Sequence, residues 1–266
     1  MSAICGIVGE SATGGRGRRD VSIMLEVLRP RGPETAIIHE QSDGGRPLAF
    51  GMRQVGKGGG QPVLARGDDP ANFLIYDGTI FNASELRGYL LFNDPDKANC
   101  GGCHLSRPSP DGMPPLFTDF QFEALGAPRN LALQANRDAG SFDLGVCGPY
   151  RHDMHDQPQF CGMFLTPTLR NVATRRVFFH NGVFHTLQQV QDFYAFRDVR
   201  PDKVYPPGQG GIAAKYDDIP ERYRGNIDVV DPPFDRHLGD QPAMTAQDET
   251  DIIAFLKTLT DGYRPE

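Results

Sequence analysis

The feature that most constrains this chain is five residues long: Cys100-Gly101-Gly102-Cys103-His104. The pattern C-x-x-C-H is the attachment sequence of c-type haem. Two cysteines three positions apart share one face of a helical turn, where both can reach the vinyl groups of one porphyrin as thioethers. The histidine that follows is then placed to offer a ring nitrogen to the iron as the proximal ligand. A chain organised in this way must fold around a flat, largely apolar group. Two other uses of the pattern are a redox dithiol and half of a zinc site. The zinc reading needs a second paired cluster, and Cys147 and Cys161 do not make one.

The rest of the chain divides around this motif. Residues 1–90 carry equal numbers of basic and acidic side chains, so the whole net charge of −7 falls on 91–266. All but three of the 17 Phe and four of the 5 Cys also fall there. The acidic balance argues against nucleic acid as a partner. No apolar run approaches the length of a membrane span. Met1 to Glu10 shows a short apolar run without a basic leader or cleavage site, so the chain as written reads as cytoplasmic. Thioether attachment of haem normally follows export, so the haem segment by itself is expected in the periplasm. The two expectations conflict.

In the first segment, Ile4–Gly9, Pro47–Gln54 and Phe73–Tyr76 read as strands, Val21–Leu28 as a helix, and Ser84 as the N-cap of a helix through Leu91. Cys5-Gly6-Ile7-Val8-Gly9, Arg31-Gly32-Pro33-Glu34, Gly59-Gly60-Gln61-Pro62 and Asp77-Gly78-Thr79-Ile80-Phe81-Asn82 occur in that order. Together they resemble the class II glutamine amidotransferase domain of asparagine synthetases, over about half its length. The resemblance implies half of a glutaminase-type β-sandwich, an α+β segment over 1–90, with Cys5 as the nucleophile attacking a glutamine amide and Arg53 at the position of the carboxylate-binding arginine. The departures weigh against activity. Cys5 is not N-terminal, and Asp77 replaces the asparagine whose amide would stabilise an oxyanion.

In the second segment, Phe117-Thr118-Asp119-Phe120, Leu125–Asn130, Asp143–Pro149, Cys161–Phe164, Thr166–Val172 and Phe178–Gly182 follow the C-x-x-C-H motif in order. This series resembles the C-terminal haem domain of the bacterial di-haem cytochrome c peroxidase and MauG family, over essentially all of 91–266. The resemblance implies a mainly α, cytochrome c-like domain with long loops and one covalent haem c. Cys100 and Cys103 are its anchors, His104 is the proximal ligand, and Arg170 lies beside the haem propionates. It places the distal ligand about 14 residues after His180, at Tyr194. The alternatives for that residue are plain core, or Met154 or Met163 as ligand instead. Tyr194 falls on a helix expected from Thr186, with Gln189 completing a capping box and Leu187, Val190 and Phe193 beside it on the inner face. Members of the MauG-like branch also carry cysteines where Cys147 and Cys161 stand, a disulfide candidate in an oxidising compartment. His152 and His155 alternate with acids in what reads as a solvated loop. Thr245 and Asp248 read as the cap of the closing helix.

The family uses two haems with a tryptophan between them. This chain has one C-x-x-C-H and no Trp. Arg175-Arg176-Val177 stands where the family has a Thr-x-Pro segment near a calcium ion, so calcium is not carried over with the rest. The expectation is a haem-c electron-transfer module without autonomous peroxidase activity. Its partner would be a redox protein or the missing first haem domain. A glutaminase fragment acting through Cys5, or a non-functional fusion of two partial genes joined near residue 90, are the alternatives.

Overall fold

The computed structural model describes residues 82–107 and 115–263, and, before them, the backbone of five strands. The chain separates into two compact units. One gathers Met1–Arg87, Pro108–Pro114 and Gly262–Glu266, the other Gly88–Arg107 and Pro115–Asp261.

In the first unit β1 (Ala3–Val8), β2 (Thr35–Asp43) and β3 (Arg46–Gln54) form an antiparallel sheet in the order β1-β3-β2. Cys5 on β1 stands opposite Gly51 on β3. A separate antiparallel pair, β4 (Leu74–Tyr76) and β5 (Thr79–Phe81), follows. The expected half of a β-sandwich is not supported, because the described backbone amounts to one three-stranded sheet and a hairpin. The side chains of Cys5, Arg53 and the rest of the amidotransferase-like motifs up to Phe81 lie outside the described residues, as does the helix expected over Val21–Leu28.

Helix α1 (Ala83–Phe92) starts two residues earlier than Ser84 would dictate. Asn82 is the cap: its Oδ1 accepts from the Glu85 backbone N–H at 3.0 Å, and Glu85 Oε2 accepts from the Asn82 N–H at 2.8 Å. This reciprocal pair satisfies two donors that a helix start otherwise leaves open.

The second unit is built from short helices, 3-10 turns and long irregular segments, with one two-stranded ribbon, β6 (Phe122–Glu123) against β7 (Phe164–Leu165). Its helices are the end of α1, α2 (Cys100–Cys103), α3 (Leu187–Phe196) and α4 (Ala246–Thr258). The start of α3 is fixed by the Thr186–Gln189 capping box and that of α4 by Thr245–Asp248, each expected from the sequence. Caps of this kind are worth about 1 kcal/mol.

Two aromatic clusters make the core. Phe92, Phe117 and Phe255 are essentially inaccessible and meet with ring centroids 5.2 to 6.2 Å apart. Phe179, Phe184, Phe193 and Phe234 form the second around α3, with Tyr194 stacked on Phe234 at 5.3 Å. Each buried Phe contributes roughly 1.5–3 kcal/mol of transfer free energy. Helix α1 approaches α4 through Gly88, where any side chain would run into the Asp251 carbonyl. A disulfide joins Cys147 to Cys161 with Cα atoms 5.1 Å apart.

Arg197 is the largest fully buried side chain. It pairs with Asp198 at 2.8 Å, donates to the carbonyls of Leu125 and Asp228, and lies 3.6 Å above the Phe234 ring. Lys215 and Tyr216 complete the shell of Asp198 at 2.6 and 3.1 Å. The guanidinium thus ties the segments at Leu125 and Asp228–Phe234 to the end of α3, which carries Tyr194. Among the described residues no helix is long and apolar enough to cross a membrane.

Candidate haem site

The attachment motif is held in place by its neighbours. Asn99 enters α2 in the left-handed region (φ 47°), a conformation that asparagine tolerates better than most residues. One turn of helix then carries Cys100 and Cys103, both free thiols. Gly101 is required by close approach, since an added Cβ would sit 2.7 Å from Asn93 Oδ1. Asn93 is itself fixed, accepting from Ser106 Oγ at 2.6 Å and donating to the Tyr89 carbonyl at 2.8 Å.

His104 follows the helix, with Nδ1 2.9 Å from the Phe117 carbonyl. A carbonyl can only accept, so Nδ1 carries the proton and Nε2 keeps the lone pair. This is the arrangement that orients a ligating imidazole. Burial holds the His104 pKa below the ordinary histidine value, which keeps the ring neutral and its lone pair available.

Cys100, Cys103, His104 and Tyr194 all line one cavity of about 460 Å³. That size falls in the range of cofactor pockets. Its walls are mostly apolar: Phe92, Leu125, Phe164, Val190, Phe234 and Leu256 among them. The acids Glu123, Asp228 and Asp231 also line it. Burial, reinforced by Cys103, pushes the Cys100 thiol up to about 12. Burial and then the neighbouring acids, Glu123 first, push Cys103 up to about 11. Tyr194 is raised above the usual phenol value, chiefly by desolvation and then by the two cysteines, while Arg197 opposes the rise. A donor set of two thiols, one neutral imidazole and one phenol around an apolar slot fits a covalently attached haem.

The remaining candidate residues divide between the cavity wall and its surroundings. Arg170 does not line the cavity. Its Nε donates to the Pro115 carbonyl at 3.0 Å and its guanidinium lies 5.2 Å from the Phe117 ring, behind the carbonyl that holds His104. Arg175 is the cation that lines the cavity. Met154 and Met163 are not among the lining residues. His180 lines it, stacked on Phe164 with centroids 3.6 Å apart and 3.3 Å from buried Asp218. His155 Nδ1 bonds the His152 carbonyl, and Arg151 pairs with Asp153. No group of three or more possible metal ligands occurs among the described residues.

The sequence reading missed Gln191, Arg175 and the Phe117 carbonyl. Gln191 had a signal, lying four residues after Leu187 and three before Tyr194 on the face taken as apolar. Phe117 had none, because its contribution is a backbone atom brought close by the tertiary fold.

No family model matches the chain. MauG, the methylamine utilization protein of Paracoccus denitrificans, is 31% identical over 189 residues, 70% of this chain and 44% of that protein. Cytochrome-c peroxidase IdrP1 of Denitromonas iodatirespirans is 29% identical over 199 residues, 69% of this chain and 42% of that protein. The crystal structure of the diheme peroxidase BthA from Burkholderia thailandensis matches with a TM-score of 0.60 and 42% identity, over 68% of this chain and 43% of that one. The chain thus spans less than half the length of these relatives. The matches give no support to the amidotransferase resemblance of residues 1–90. Over about 70% of its length the chain is homologous to MauG and the di-haem cytochrome c peroxidases.

Proposed function

We propose that the second unit is a c-type haem electron-transfer module of the MauG and di-haem peroxidase kind. The observation that carries the reading is that Cys100, Cys103, His104 and Tyr194 line a single apolar cavity. When bound, haem supplies a one-electron Fe(III)/Fe(II) couple. Cys100 and Cys103 would anchor it through thioethers, and His104 Nε2 would be its proximal donor. The Phe117 carbonyl fixes the ring orientation and raises the basicity of that nitrogen. Tyr194, on α3, would be the distal donor. A phenolate is anionic and favours the ferric state, giving a low potential. Arg175, the cation on the cavity wall, would supply a charge for the carboxylates of the porphyrin. The aromatic clusters exclude water from the slot.

With Tyr194 as ligand the distal side would be closed to hydrogen peroxide. The module would therefore pass electrons rather than reduce peroxide itself. Its partner is a redox protein or a second haem domain, the class of centre that completes its di-haem relatives. Thioether attachment and the Cys147–Cys161 disulfide both fit an exported, oxidising setting.

The test is a pyridine haemochrome spectrum after co-expression with c-type haem attachment machinery. A c-type band that disappears in Cys100→Ala/Cys103→Ala is expected. No such band in the unaltered protein, or an unchanged band in the double variant, overturns the reading.

A further inference from the structure

Gln191 interrupts the apolar face of α3 and is only 4% exposed. It lines the haem cavity one helical turn before Tyr194. Its carboxamide oxygen is buried with no hydrogen-bond partner among the described residues. Its amide nitrogen donates to none of them either. The Tyr194 hydroxyl, on the same wall, also makes no hydrogen bond to a described residue. Its contacts are the rings of Phe179, Phe193 and Phe234. Folded proteins pair nearly all their buried polar groups. The Gln191 oxygen is an exception, and half-buried Tyr194 stands three residues further on the same helix and lines the same cavity, so the two side chains are placed to be used together.

We propose that in the haem-loaded protein the Gln191 amide N–H donates a hydrogen bond to the phenolic oxygen of Tyr194. The inference rests on Tyr194 being the distal ligand, as proposed above. A ligating phenolate keeps a lone pair and negative charge, and a bond from a donor to an ionised oxygen is stronger than a neutral one. Along α3, Gln191 is the cavity-lining side chain that carries an N–H; Leu187, Val190 and Tyr194 carry none. The donor is neutral, so it draws charge from the phenolate without adding a cation to the apolar slot. That weakens donation to Fe(III) and raises the reduction potential above that of the same ligand left bare. A half-turn of the carboxamide presents its oxygen instead, the acceptor that a protonated Tyr194 hydroxyl needs.

The experiment uses the haem-loaded chain, with Gln191→Leu and Gln191→Met as near-isosteres lacking the donor and Tyr194→Phe as the control. The readouts are the phenolate-to-iron charge-transfer band, the Fe–O(phenolate) stretch by resonance Raman in light and heavy water, and the reduction potential. The unaltered protein is expected to show a heavy-water shift of the stretch. Both Gln191 variants are expected to lose that shift, move the band to longer wavelength and lower the potential. The inference is overturned if Gln191→Leu leaves all three unchanged while Tyr194→Phe abolishes the band. An unchanged spectrum in Tyr194→Phe overturns the ligand reading itself, and this inference with it. Should the Gln191 variants fail to load haem, the heavy-water shift in the unaltered protein decides: its presence supports the bond and its absence overturns it.

Discussion

His104 Nδ1 and the Phe117 carbonyl oxygen are 2.9 Å apart, so the proximal histidine is oriented by the backbone of a segment thirteen residues further along the chain. Arg170 holds that same segment from behind, through the Pro115 carbonyl and the Phe117 ring. It therefore reaches the site through the Phe117 segment. Arg170→Gln is expected to lower stability by about 1–2 kcal/mol, the size of one charge-assisted hydrogen bond plus a ring contact. Haem should remain attached. Urea unfolding followed by circular dichroism measures the loss. A variant with unchanged stability but an altered pH dependence of the reduction potential would place Arg170 at a propionate instead.

The two attachment thiols should be inert in the haem-free protein. Their pKa values are pushed up to about 12 for Cys100 and about 11 for Cys103, chiefly by burial. Only the thiolate is nucleophilic, so at neutral pH Cys103 should react with iodoacetamide about 100-fold more slowly than an unperturbed thiol, and Cys100 more slowly still. The same shifts set a pH dependence of stability. Between pH 9 and 11–12 the folded chain holds these protons and the unfolded chain releases them, so stability falls as pH rises through that window. Below pH 9 both states are protonated and the contribution is level. Urea midpoints at pH 8 and pH 10 check this, and Cys100→Ala/Cys103→Ala should flatten the difference.

How much of this was legible in the sequence depended on the kind of contact. The motif at Cys100–His104 is local, and the boxes at Thr186–Gln189 and Thr245–Asp248 are satisfied within four residues, so spacing alone predicted them. Asn82 was missed as a cap because Ser84 offered an equally good local signal. The choice between them was made by Glu85, which bonds back to Asn82. The contacts of Arg170 with the Pro115 carbonyl and the Phe117 ring were not legible, because a guanidinium is suited equally to a carboxylate or a carbonyl, and only the fold brings these partners within reach. Arg197 gave no signal at all, since its partners lie around Leu125 and over Asp228–Phe234, more than 30 residues from it in either direction.

The Cys147–Cys161 disulfide closes a loop with a sequence separation of 14. Restricting a loop of that size in the unfolded chain is worth about 3 kcal/mol in the chain-entropy model. Reduction, or Cys147→Ser/Cys161→Ser, is expected to lower stability by roughly 2–3 kcal/mol without removing haem. Unfolding with and without dithiothreitol measures the difference, and the serine pair should be insensitive to the reductant. Equal stability in both conditions would mean that the cross-link is absent from the purified protein.

Arg197 supplies the most severe single substitution. Its guanidinium is completely buried, satisfies two backbone carbonyls, covers the Phe234 ring and neutralises Asp198. Arg197→Met keeps much of the volume but removes every donor. Asp198, 6% exposed at the side chain, would keep Lys215 and Tyr216 as partners, whereas the Leu125 and Asp228 carbonyls would lose theirs. Breaking a buried pair from one side costs about 3–5 kcal/mol. The partial cover of Asp198 by Lys215 puts the expected loss at the lower end of that range. Phe234 also stacks on Tyr194, so the damage should reach the distal wall. A haem-loaded Arg197→Met protein is therefore expected to show both a lower thermal midpoint and a broadened visible spectrum. Loss of stability with an unchanged spectrum would separate the loop-tying role of Arg197 from any influence on Tyr194.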